Sequence, residues 1–180
     1  MASDPTVWKS SKGPITFNSI RNGEYYDARL ELGDWTKADY DDSEWFGTKI
    51  MKSPGGLLVA MEMEPIRVRK IFPAKKMWKS ANGYIFDVGQ NQSGVGLFKV
   101  RGAEGTEIKF RYSDVLKEDG EIDNSAIGCF VRSGEFQTDK YIKKSNEEET
   151  WHPIFTYHGF QYVEVSGIDY EPNLDDVSAM

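Results

Sequence analysis

Short apolar runs, closed off by glycines and other turn residues, recur along this chain roughly every 10–15 residues, the spacing of an antiparallel sandwich. Ile108-Lys-Phe-Arg-Tyr112 alternates cleanly and puts Ile108, Phe110 and Tyr112 on one face. Ile66-Arg-Val-Arg-Lys-Ile71 alternates apolar with basic residues, which predicts a half-exposed strand. Tyr84-Ile-Phe-Asp-Val88 and Gly96-Leu-Phe-Lys-Val100 are short, apolar and bounded by glycines. Gln137–Ile142 and Ile154–Val165 complete the set. The stretch Glu149–Val165 holds five aromatics, Pro153 and Gly159. Helices use such a composition poorly, so it predicts two short strands with a turn at His158-Gly159. Lys117-Glu-Asp-Gly120 is a turn, and Asp123–Ser133 a long loop.

Before Pro65 the pattern loosens. Gly13-Pro14 and Asn22-Gly23 are turn signals, with strand candidates at Ile15 and in Glu24–Glu31. Asp34–Trp45 is acidic, aromatic and too irregular for a long helix. The tail Asp169–Met180 carries Pro172 and several acids and reads as an interdomain linker. No helix beyond two turns is predicted. The fold class is therefore all-β, an antiparallel sandwich or jelly roll with a short N-terminal β appendage.

Bulk chemistry narrows the partners. The net charge of −7 disfavours nucleic acid, whose phosphates need a basic face, and an anionic membrane surface. No apolar run approaches the roughly 20 residues of a membrane span, and Met1-Ala-Ser-Asp-Pro5 is not read as a signal peptide. The single cysteine, Cys129, allows no internal disulfide and is expected to be a half-buried strand or loop residue. The compartment stays open.

An ordered set of motifs carries a resemblance. Gly23-Glu-Tyr-Tyr-Asp-Ala-Arg29, Trp35, Tyr40-Asp-Asp-Ser-Glu-Trp45 and Pro65-Ile-Arg-Val68 come first. Tyr84-Ile-Phe-Asp-Val-Gly-Gln-Asn91, Gly102-Ala-Glu-Gly-Thr106, Tyr112-Ser-Asp-Val-Leu116, Glu118-Asp-Gly120 and Tyr157-His-Gly-Phe-Gln-Tyr-Val163 follow. Taken in order, they resemble the accessory β-sandwich region of bacterial α-L-rhamnosidases, glycoside hydrolase family 78. The resemblance implies that residues 1–64 are the C-terminal part of an N-terminal β module packed on the rest. It implies a concanavalin-like sandwich over 65–168 and a linker over 169–180. The family's catalytic acid and base lie in an (α/α) barrel outside this sequence, so no position here inherits a catalytic role. The barrel would be the partner of this region, and a rhamnose-containing glycan its ligand.

Candidate contacts follow from residue chemistry. Tyr25 or Tyr26, beside Asp27 and Arg29, offers an aromatic surface and planar polar groups for a sugar. The same residues could instead form an Asp27–Arg29 pair that pins the segment. Gln90 and Asn91 could bond sugar hydroxyls or satisfy the backbone of a bulge. Asp39, Asp41, Asp42 and Glu44 could give oxygens to Ca²⁺, though without EF-hand spacing, or cap a turn. No other cofactor is expected. His152 and His158 do not make a zinc site, and His158 is expected to bond backbone at a tight turn.

Two functions stand at this point. One is a non-catalytic region bracing the barrel of an α-L-rhamnosidase-like hydrolase and lining its substrate entry. The other is a free-standing carbohydrate-binding module. A protein-interaction sandwich is a third.

Overall fold

The structure, a computed structural model, describes residues 4–131 and 133–180. In chain order the strands are β1 (Lys9–Ser10), β2 (Ile15–Ser19), β3 (Gly23–Asp27), β4 (Phe46–Gly47), β5 (Phe72–Pro73), β6 (Lys76–Lys79) and β7 (Gly83–Gly94). After these come β8 (Gly96–Val100), β9 (Glu107–Ser113), β10 (Thr138–Ile142), β11 (Glu149–Trp151), β12 (His158–Ser166) and β13 (Val177–Ala179). Among the described residues helix is confined to two single 3₁₀ turns, Ala28–Leu30 and Leu174–Asp176. The chain divides into two compact units. One is Met1–Gly13 with Leu30–Arg67, the other Pro14–Arg29 with Val68–Met180.

The larger unit is the expected sandwich. A seven-stranded sheet runs β2-β3-β10-β9-β12-β7-β6, and a four-stranded sheet runs β11-β8-β13-β5. All pairings are antiparallel except β3 on β10. Alternate residues of both sheets fill the core: Phe86, Phe110 and Val163 from the large sheet, Phe98, Val177 and Ala179 from the small one. The Phe98 and Phe110 rings stack with centroids 3.7 Å apart. Each such side chain contributes roughly 1.5–3 kcal/mol by leaving water. A one-residue slip of β9 would exchange Phe110 for Lys109 or Arg111, so the alternation fixes the register.

Several expectations need correction. Of residues 1–64, Ile15–Ser19 and Gly23–Asp27 join the large sheet at its edge, which the sequence pattern does not show. Gly23 is required there: at φ 134° a side chain would lie 2.2 Å from the Thr138 carbonyl oxygen. The tail is no linker. Val177 and Ala179 are buried, and β13 sits between β8 and β5. Acids and Pro172 drew the linker reading, while a three-residue strand gives too short a pattern to recognise. His158-Gly159 is not a turn but the start of β12, paired with Gly94 and Ser93. Ile66–Ile71 forms no strand, since no neighbouring strand pairs with it among the described residues, and Ile66 and Val68 are exposed.

In the smaller unit β1 pairs with β4, and Lys9 Nζ reaches Asp42 Oδ1 at 2.7 Å. Trp45 packs against Trp35 and, edge-on, Tyr40. Leu57, Leu58 and Met63 are exposed.

Candidate functional site

The sugar-contact candidates scatter. Tyr25 faces the outer side of the large sheet, with the Phe17 ring 4.7 Å away and Lys140 Nζ 4.6 Å from its ring centre. Tyr26 points the opposite way, as the strand pleat demands, and packs with Tyr141 and Trp151 in the core. Asp27 and Arg29 form a bidentate pair, Nη2 to Oδ2 at 2.8 Å and Nε to Oδ1 at 2.9 Å. Those hydrogen bonds hold the Asp27 carboxyl below its ordinary range. Gln90 and Asn91 are exposed on β7. There the register jumps, Phe160 facing Gln92 while Tyr162 faces Asp87. Gly89, at φ 78°, donates its N–H to Asp87 Oδ1 at 2.6 Å and turns the bulge. Strands β10, β9 and β12 separate β3 from β7. At about 4.8 Å per strand the two candidate groups lie roughly 19 Å apart and do not converge.

The calcium candidates do not gather either. Asp41 Oδ1 accepts the Ser43 N–H at 2.9 Å, a turn cap, and Asp42 pairs with Lys9. Asp39 and Glu44 are exposed. Among the described residues no group of three or more His, Cys, Asp or Glu side chains is placed to hold a metal ion. Cys129 is exposed, its thiol turned to the Ala126 carbonyl.

Sequence reasoning missed a buried polar cluster under the sheet edge. Asp139, fully buried on β10, accepts three partners: the Glu24 N–H at 2.8 Å, the Tyr112 hydroxyl at 2.6 Å and His158 Nε2 at 3.1 Å. A carboxylate only accepts, so Nε2 carries the imidazole proton. The His158 ring stacks on Tyr112 at 4.1 Å. The Glu24 carboxylate accepts the N–H groups of Ile154 (3.2 Å) and Phe155 (3.0 Å) and the Asn18 amide (3.3 Å). Burial, then the Asp139 charge, push the Tyr112 phenol well above its ordinary value, so it stays a donor. The cluster ties β3, β9, β10 and β12 together. Because it is closed to solvent, it acts as a structural clasp. Its one sequence signal was polar residues at inward positions of otherwise apolar strands.

Burial raises the Glu24 carboxyl above its ordinary 4.5 despite the bonds it accepts. A raised carboxyl holds its proton more firmly folded than unfolded. Its stabilisation is therefore full below the ordinary value and is lost as pH climbs through the raised one. Against Glu24→Gln, the wild-type urea midpoint should fall progressively as pH rises from 4 to 7. A pH-independent difference would contradict a raised Glu24.

The outer face of the large sheet carries a different arrangement. Cross-strand neighbours form two rows, Arg111-Glu164-Ile85-Trp78 and Tyr25-Lys140-Lys109-Ser166-Gly83. Arg111 Nη2 meets Glu164 at 2.7 Å, and Lys109 and Lys140 both meet Glu135, at 2.7 and 2.6 Å. Burial alone would raise the Glu135 carboxyl, but the two lysines hold it below its ordinary value. On the far edge Trp78 donates to the Gly120 carbonyl and meets Tyr162 edge-on.

Two family models divide the chain. The alpha-L-rhamnosidase N-terminal domain matches residues 1–70, and the bacterial alpha-L-rhamnosidase concanavalin-like domain matches residues 78–180. An alpha-L-rhamnosidase of Formosa agariphila is 36% identical over 99% of this chain and 19% of its own length. One from Streptomyces avermitilis is 35% identical over 95% of this chain and 16% of its own. The chain thus spans about a fifth of the curated relatives it matches. Among solved structures, the alpha-L-rhamnosidase of Dictyoglumus thermophilum superposes with a TM-score of 0.89 at 39% identity, covering 99% of this chain and 20% of that one. The Streptomyces avermitilis enzyme, solved with L-rhamnose, gives 0.84 at 35%, covering 96% and 16%. With a sandwich of the expected kind and a match over most of that sandwich, this chain belongs to the bacterial α-L-rhamnosidase family, in the concanavalin-like domain and the N-terminal domain that precedes it.

Proposed function

We propose that this chain is a non-catalytic accessory region of an α-L-rhamnosidase-like glycoside hydrolase, whose parent removes terminal α-L-rhamnose from glycans. The observation that carries the reading is a match along nearly the whole chain to about a fifth of proteins named alpha-L-rhamnosidase. In this reading the reacting carboxylates belong to an (α/α) barrel beside the sandwich. The sandwich supplies a stiff wall, and the exposed Gln90–Asn91 bulge is assigned to the rim of the substrate entrance.

The isolated chain is expected to leave p-nitrophenyl α-L-rhamnoside intact, with release of nitrophenol no faster than in buffer. Turnover that survives purification to homogeneity sinks the accessory reading.

A further inference from the structure

Ser166 and Gly83 are the two small residues in the long rows of the outer face, and a recess opens beside them. Gly83 cannot be enlarged, because a side chain there would lie 2.1 Å from the Val165 carbonyl oxygen. The recess, of about 380 Å³, is lined by Asn82, Lys109, Arg111, Glu135, Glu164 and Ser166. That volume is within the roughly 300–1,000 Å³ typical of small-molecule sites, but the lining contains no apolar side chain.

We propose that this recess is a binding subsite for a neutral pyranose sugar. Its charges balance, Lys109 and Arg111 against Glu135 and Glu164, so a ligand bearing either charge meets repulsion as well as attraction. A sugar ring brings neighbouring hydroxyls that each donate and accept, and the lining offers both roles side by side. Glu164 is a fixed acceptor. Its side chain is 4% exposed and is held by Arg111 and by the Ser80 hydroxyl at 3.2 Å. Arg111 is a planar donor beside it, bonded to Glu164 through Nη2 at 2.7 Å and with its side chain 35% exposed. Lys109 and Glu135, paired at 2.7 Å, add a second donor and acceptor to the lining. The subsite needs no metal. It stands on the geometry of this face and not on the accessory role proposed above.

The test is an NMR titration of the ¹⁵N-labelled chain with methyl α-L-rhamnopyranoside and with methyl α-D-glucopyranoside, using sodium acetate as the charge control. Saturable shifts with either glycoside, centred on Lys109, Arg111, Glu164 and Ser166, are expected. Arg111→Lys, which keeps the charge but loses the planar fork, should weaken binding about tenfold. Ser166→Leu, an outer-face change that fills the recess without touching the core, should abolish it. Three results overturn the proposal: no saturable shift with either glycoside, the same shifts with acetate, or unchanged binding in the folded Ser166→Leu protein. The aryl rhamnoside assay reads turnover and this one reads binding, so either proposal can fail without the other.

Discussion

Asp139→Ala should lower the stability of the folded chain by about 3–5 kcal/mol, the usual cost of removing one partner from a buried charged cluster. The carboxylate is fully buried and joins three donors that no water reaches, the Glu24 N–H, the Tyr112 hydroxyl and His158 Nε2. Alanine leaves all three unmet, and each unmet buried donor costs about 1–3 kcal/mol. The total is large against the roughly 5–15 kcal/mol that holds a domain folded. Urea denaturation followed by tryptophan fluorescence reads the loss. Asp139→Asn keeps an acceptor of the same shape and should recover part of it. An alanine variant within about 0.5 kcal/mol of the wild type would mean that the cluster does not hold β3 on the sheet.

The fold was legible wherever burial imposes a period. Ile108, Phe110 and Tyr112 lie on the core face as their alternation predicts, and strands at Tyr84–Val88 and Gly96–Val100 fall within observed ones. Glycines that mark ends could also mislead. Gly159 sits inside β12 with open space around it, so it broke the sequence pattern without breaking the strand. Ile66–Ile71 shows the converse, an alternation that no pairing among the described residues turns into a strand.

The sites were less legible, because local composition does not report which strands become neighbours. Tyr25 and Tyr26 looked equivalent, yet the pleat sends one to each face. Lys109, Arg111 and Glu164 carry no local mark of a site in the sequence. Their meeting depends on β9 pairing with β12, whose partners are 49 residues apart at Ser113–Tyr162 and farther at each later pair. The buried cluster was hidden for the same reason. Glu24, Tyr112, Asp139 and His158 come from four separated strands, and only the parallel placement of β3 on β10 brings the first of them in.

Phe98→Ala is the second large effect, again about 3–5 kcal/mol, from lost burial and the cavity left behind. Phe98 is 1% exposed and is a ring of the small sheet packed against the large one. It stacks on Phe110 at 3.7 Å and lies 6.3 Å from Trp151 and 6.4 Å from Tyr112. Both sheets contribute to its surroundings, so they cannot close the gap without shifting against each other. Phe98→Leu should cost less, about 1.5 kcal/mol, because most of the volume stays. Phe155→Ala is the matched control. That ring is 65% exposed, and its loss should stay within about 0.5 kcal/mol. A Phe98→Ala loss no larger than the control's would place the core elsewhere. Phe98 packs near the Tyr112 ring, and the Tyr112 hydroxyl binds Asp139, so the apolar core and the polar cluster share a residue. The Phe98→Ala, Asp139→Ala double variant should therefore lose less than the sum of the singles, by at least about 0.5 kcal/mol. Strict additivity would show that the two clusters hold the sandwich independently.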